Sequence, residues 1–116
     1  MKFTLENYKL PNGTEPVTEF LETLDNNMAN KIHWEMRLLE EYGYELREPH
    51  TKHLEDGIFE LRVKFSSNIS RILFFFYYKG KIILTNGFVK KTQKTPKSEI
   101  DLAKKYREDY WKKYGR

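Results

Sequence analysis

The residues with the most chemical potential in this chain are cationic and lie close together: Arg62, Lys64, Arg71, Lys90, Lys91 and Lys94, with Phe88 among them. Arginine stays charged at any physiological pH and can grip two phosphate oxygens at once. A lysine set among other cations has its pKa lowered and can then act as a base. A ring such as Phe88 can stack on an unpaired base. These groups suit cleavage of RNA through its own 2′-hydroxyl. That reaction needs a proton taken from the hydroxyl, a proton delivered to the leaving oxygen, and positive charge around the crowded phosphate. His53, beside Lys52, adds a group that exchanges protons near neutral pH. The bland reading pairs Arg62 and Arg71 with Glu60 and Asp56 and places Phe88 in the core. On these residues alone, the bland reading has the edge.

Other chemistries find less support. There is no cysteine, which removes disulfides, thiolate metal sites and cysteine nucleophiles. No GxxxxGK[ST] or GxGxxG loop occurs. His50-x-x-His53, with Glu55 and Asp56 nearby, has the residue types of a metal site, but a short polar stretch of this kind is usually just solvated, so no metal or other cofactor is expected. A Ser/His/Asp hydrolase site has no supporting elbow.

The candidates must be held by the stretch from Gly57 to Lys97. Phe59, Leu61, Val63 and Phe65 alternate with Glu60, Arg62 and Lys64, the period of a half-buried strand. Ser66-Ser67-Asn68 breaks the run. Ile69 to Tyr78 is apolar on both faces and reads as a central strand. Lys79-Gly80 suits a two-residue hairpin into a third strand, Lys81 to Val89. Tyr78 would then pair with Lys81, and Arg71 would share a face with Asn86, Phe88 and Lys90. An even loop at Ser66 to Asn68 adds Arg62 and Lys64 to that face; a slip of one residue removes them. Lys91 falls on the opposite face unless the strand ends before it.

The remaining elements frame that sheet. Phe3 to Tyr8 alternates weakly and reads as a strand joining it. A helix is expected from near Thr14, with Pro16 in its first turn and Val17, Phe20, Leu21 and Leu24 as its buried stripe. Asp25-Asn26-Asn27 ends it and caps a second helix to about Tyr42, with Met28, Ile32, Met36 and Leu39 inward and Gly43 as the stop. The two form a helical hairpin on one face of the sheet. Tyr44 to Asp56 reads as a polar loop. Thr95-Pro96 opens a last helix, with Ile100, Ala103, Tyr106, Tyr110 and Tyr114 on one side and Lys104, Lys105, Arg107, Lys112 and Lys113 on the others. The fold class is therefore α+β: a strand, two helices, three strands and a helix, in one domain over residues 1–116.

Charge is unevenly spread. Residues 1–48 carry 5 Lys/Arg and 10 Asp/Glu, residues 49–87 carry 6 and 3, and residues 88–116 carry 10 and 4, within a net charge of +4. A basic final third fits a polyanionic partner such as nucleic acid, or simply a lysine-rich solvated helix. MKFTLENYKL lacks the apolar core of a signal peptide, and Ile72 to Tyr78 is too short to span a bilayer, so a cytoplasmic protein is expected.

The strings LEDGIFELR, SRILFFFYYKGKIILTNGFVKKTQKTP and EIDLAKKYREDY resemble the HigB-type, phage-derived branch of the RelE/ParE toxin superfamily. The similarity covers nearly the whole chain and is most specific from Leu54 to Pro96. It implies a small toxin of a type II toxin–antitoxin pair that cuts mRNA on the ribosome without a metal. It also implies a cognate helix-turn-helix antitoxin of the HigA type, with DNA touched only through the antitoxin complex. Matched position by position, it assigns Arg62 and Arg71 to phosphate binding and transition-state charge. Lys90 or Lys91 would orient the RNA or serve as acid or base, with help from His53; Lys52, Lys64, Phe88 and Lys94 would contact RNA. Several members use a C-terminal tyrosine or histidine, whereas here neither follows Val89 until Tyr106. The resemblance leaves two other functions open: a ParE-like toxin that binds gyrase without cutting RNA, and a non-toxic module that binds an antitoxin and regulates transcription. The basic final third suggests that an acidic or apolar antitoxin segment covers it.

Overall fold

The computed structural model describes residues 2–90 and 94–116. Five strands form one mixed sheet in the order β1-β5-β4-β3-β2. They are β1 (Thr4–Asn7), β2 (Thr51–Glu55), β3 (Ile58–Phe65), β4 (Asn68–Tyr77) and β5 (Lys81–Lys90). β1 runs parallel to β5, and the other neighbours are antiparallel. The helices are α1 (Pro16–Glu22), α2 (Asn26–Tyr42) and α3 (Lys97–Tyr114). This α+β arrangement is compatible with a RelE-like fold.

The expected helical hairpin forms, with its signals in place. The Asp25 carboxylate accepts the backbone N–H of Met28 at 2.9 Å and so caps α2. At the other end Gly43 adopts φ 48°, and its N–H closes on the Leu39 carbonyl. Val17, Met28, Ile32 and Leu39 are buried against Leu61, Val63, Ile72, Phe74, Ile82 and Leu84 on one face of the sheet. α1 begins at Pro16, two residues later than the sequence suggested.

α3 covers the opposite face, where Ala103 and Tyr110 pack with Tyr8, Ile58, Leu73, Phe75 and Ile83. Pro96 serves as its N-cap rather than its first residue. Arg107, expected among the outward cations, is instead buried; its guanidinium bonds the Asp56 side chain at 3.0 Å and the Asp56 carbonyl. Beside it Lys97, at 2.9 Å, and Lys104 hold Glu55. The helix is thus clipped to the β2–β3 turn by three cations. Tyr8 donates to Asp109 at 2.7 Å and Tyr110 to Glu6 at 2.9 Å, tying the helix to β1 as well. Burial, and then those carboxylates, push both phenols well above the usual tyrosine range.

Two further expectations need correction. The stretch Tyr44 to Asp56 is not simply a loop: Thr51–Glu55 is a fifth strand at the sheet edge, paired with β3. The β4–β5 connection is also not a two-residue turn. Tyr78, Lys79 and Gly80 all lie in it, and Lys81 pairs with Tyr77. A bulge then offsets that slip. Leu73 faces Asn86 and Phe74 faces Leu84, so Thr85 is the extra residue, its hydroxyl donating to the Leu73 carbonyl at 3.0 Å. Beyond the bulge the register agrees with the sequence argument, and Arg71 stands opposite Phe88.

A Cβ on Gly43 would lie 2.1 Å from the Phe3 ring, at a positive φ. Gly43→Ala is therefore expected to cost about 2 kcal/mol or more in urea unfolding. The α3 clip carries its own signature. Lys104, and then Lys97, hold the Glu55 carboxyl at about 2, down from 4.5. A depressed folded-state pKa gives stability that is present above 4.5 and lost as pH falls toward 2. Glu55→Gln should flatten that limb of the stability–pH curve, and added salt should shrink the difference, since the pair is exposed.

Candidate functional site

The β3–β4 loop is Ser66-Ser67, with Phe65 paired to Asn68, so the even-loop condition is met. Arg62 consequently pairs directly with Arg71 across the two strands. Lys64 shares their face from β3, and Phe88 and Lys90 share it from β5. Lys52 joins from β2, opposite Glu60. Like charges directly across a ladder repel. Glu60 supplies the counter-charge: its two oxygens lie 3.8 Å from Arg71 Nε and 3.7 Å from Arg62 Nε. Thr95, from the segment leading into α3, donates its hydroxyl to the same carboxylate.

Depth separates the members of this set. Arg71 is fully buried and Glu60 is 2% exposed. The Arg62 side chain keeps 19% of its surface, and Lys52, Lys64, Lys90 and Lys94 are exposed. Burial pulls the Arg71 guanidinium below its ordinary value; Glu60 opposes that shift and Arg62 adds to it. Arginine nonetheless keeps its proton in proteins, so Arg71 is a fixed positive charge behind Arg62. Phe88 is half-buried and packs on the cluster beneath α3. Lys91 lies outside the described residues.

The pairing weighed from the sequence is met in part. Glu60 does take both arginines, but Asp56 belongs to Arg107. His53 is not brought to the arginine face. It pairs with Phe59 in the ladder, and its ring packs edge-on against that residue at 4.9 Å. The Gly57 N–H donates to His53 Nε2 at 3.2 Å. His50 is engaged elsewhere, its Nδ1 within 3.0 Å of Glu35 on α2. The two histidines of the His50-x-x-His53 pattern therefore serve different neighbours.

Glu60, Thr95 and the Glu35–His50 pair were not singled out for function in the sequence. Glu35 does carry a signal, because it completes the spacing of Met28, Ile32 and Leu39 on the buried face of α2. Among the described residues no helix is long and apolar enough to cross a membrane.

A small α+β protein with a cationic sheet face, compatible with a RelE-like fold, is the class that fold and site define. The chain belongs to the family described as phage derived protein Gp49-like (DUF891), which it matches over residues 19–108, and this is a toxin–antitoxin-related family. The match runs from α1 into α3 and includes every residue of the arginine face. No curated protein matches the chain.

Removing Glu60 leaves two cations without their shared counter-charge. Glu60→Ala should destabilise the fold by about 3–5 kcal/mol, whereas the paired change Glu60→Leu with Arg71→Met should recover most of that loss. Urea unfolding of the three variants checks both outcomes.

Proposed function

We propose that this chain is a HigB-type toxin of a type II toxin–antitoxin pair, one toxin domain that cuts mRNA on translating ribosomes in the cytoplasm. The observation that carries this reading is the cross-strand pair Arg62–Arg71 on one sheet face, ringed by Lys52, Lys64 and Lys90. Setting a buried arginine beside a half-buried one is a poor route to stability, but it produces a strong, preorganised positive field at the surface above them. Arg62 and the exposed lysines meet the phosphate, and Arg71 acts from behind. Lys90 or Lys91 takes the proton from the 2′-hydroxyl or supplies one to the leaving oxygen, and Phe88 borders the bases. Lys94 extends the cationic track toward α3. His53, on the opposite face of β2, is left out of the reaction. The chemistry uses no metal. Membership in a toxin–antitoxin-related family supports an antitoxin partner, for which a helix-turn-helix protein of the HigA type is proposed.

The deep burial of Glu60 and Arg71 favours one competing reading, in which the triad is only structural and the protein acts by binding, on gyrase or as an antitoxin-bound regulator. Primer extension on an mRNA in a purified translation system separates the two. Wild-type protein should produce cuts inside codons that require active ribosomes, and Arg62→Ala should reduce them about a hundredfold or more. Intact mRNA with growth arrest and DNA breaks in cells would point to gyrase instead. Equal cutting by Arg62→Ala would remove this arginine from the site.

A further inference from the structure

On the other side of edge strand β2, beyond the C-terminus of α2, the sheet is left uncovered and a cleft of about 430 Å³ opens. Its floor is aromatic. Phe59 stacks on Phe74 at 5.6 Å between centroids, and Phe76 stands edge-on to both. Tyr44 leans over Phe76 at 4.3 Å yet remains 58% exposed. Its rim is polar and mixed in charge, with Arg47, Glu48 and Lys52, and all three are exposed.

This combination is selective. An exposed tyrosine over a half-buried aromatic floor favours a flat π-system, since every nucleobase has a face to stack. Arg47 and Lys52 suit a phosphate at one end. Glu48 accepts hydrogen bonds only, so it suits a ligand that also carries donors, such as exocyclic amino groups or ribose hydroxyls. An acidic peptide with an aromatic anchor would satisfy the cations but meet Glu48 as a like charge. The volume falls in the ordinary range for small-ligand sites.

We propose that this cleft binds one unpaired nucleotide of RNA, its base among Tyr44, Phe59 and Phe76 and its phosphate on Arg47 and Lys52. Lys52 sits opposite Glu60 in the ladder while also lining the cleft. A single strand crossing the β2 edge therefore places one nucleotide in the cleft and a neighbouring phosphate toward Arg62. The proposal rests on the RNA-directed reading above but concerns binding, not cleavage.

The test is fluorescence anisotropy with a short 2′-deoxy-substituted single-stranded RNA that cannot be cut, in the absence of ribosomes. NMR titration with AMP or CMP goes alongside. Tyr44→Ala should weaken oligonucleotide binding about tenfold, Tyr44→Phe should bind as wild type, and Arg47→Ala should weaken it severalfold. The mononucleotides should shift the ring resonances of Phe59 and Phe76. Wild-type affinity in both Tyr44→Ala and Arg47→Ala, or ring resonances that move with an acidic peptide and not with nucleotides, overturns the proposal. Because no cleavage is measured, loss of the nuclease reading and loss of the cleft are told apart: an inactive protein with Tyr44-dependent binding retains the cleft, and an active one without it does not.

Discussion

A carboxylate shut between two arginines is the constraint on which the rest of this structure depends. Glu60 is nearly inaccessible, and among the described residues Arg62, Arg71 and the Thr95 hydroxyl offset its charge there. Three parts of the chain must therefore agree. β3 contributes Glu60 and Arg62, β4 contributes Arg71, and the lead into α3 contributes Thr95. A one-residue slip of β3 against β4 would strand all three charges. An apolar replacement would hold the strands at least as well, so stability gives no reason for charge at this point. What the charges do produce is a positive field at the surface.

That field is aimed by a defect in the sheet. The β4–β5 turn holds one residue more than the tightest hairpin, and the Thr85 bulge offsets it before the ladder reaches Arg71. Without the bulge, Phe88 and Lys90 would face α1 and α2, and Arg71 would have other neighbours. Bulges often sit where a strand must re-aim its side chains. Here Thr85 closes its own hydroxyl onto the Leu73 carbonyl, so the extra residue leaves no buried hydroxyl unbonded.

Much of this was legible in the sequence, for identifiable reasons. The caps at Asp25 and Gly43, the alternation from Phe59 to Phe65 and the doubly apolar run after Ile69 are local signals, and local physics decides them. The parity of Arg71 and Phe88 came out right although the turn behind it did not, because the slip at the turn and the slip at the bulge cancel. β2 was missed because Thr51 to Glu55 shows no apolar alternation. As an edge strand it owes its place to backbone pairing with β3, which composition does not record. The burial of Glu60 was likewise hidden. On an alternating strand the polar face reads as solvent, and the docking of α3 and its leader closes it.

The same docking changes what the basic final third means. Three of its cations, Lys97, Lys104 and Arg107, are spent on Glu55 and Asp56 of the β2–β3 turn. Arg107 and Arg116 also lie over the Trp111 ring, at 4.6 and 4.4 Å. The excess of positive charge on α3 is therefore partly internal, a clip that keeps the helix on the sheet. Exposed Lys105, Lys112 and Lys113 remain on α3, and a second set of exposed cations lies at the opposite end of that face, where Lys52, Lys64 and Lys90 ring the Arg62–Arg71 pair. The basic final third spans both the end of β5 and α3, and the ladder registers set its Lys90 beside Arg62 and Arg71 on the sheet. A partner attracted by charge meets cations on that sheet face as well as on α3.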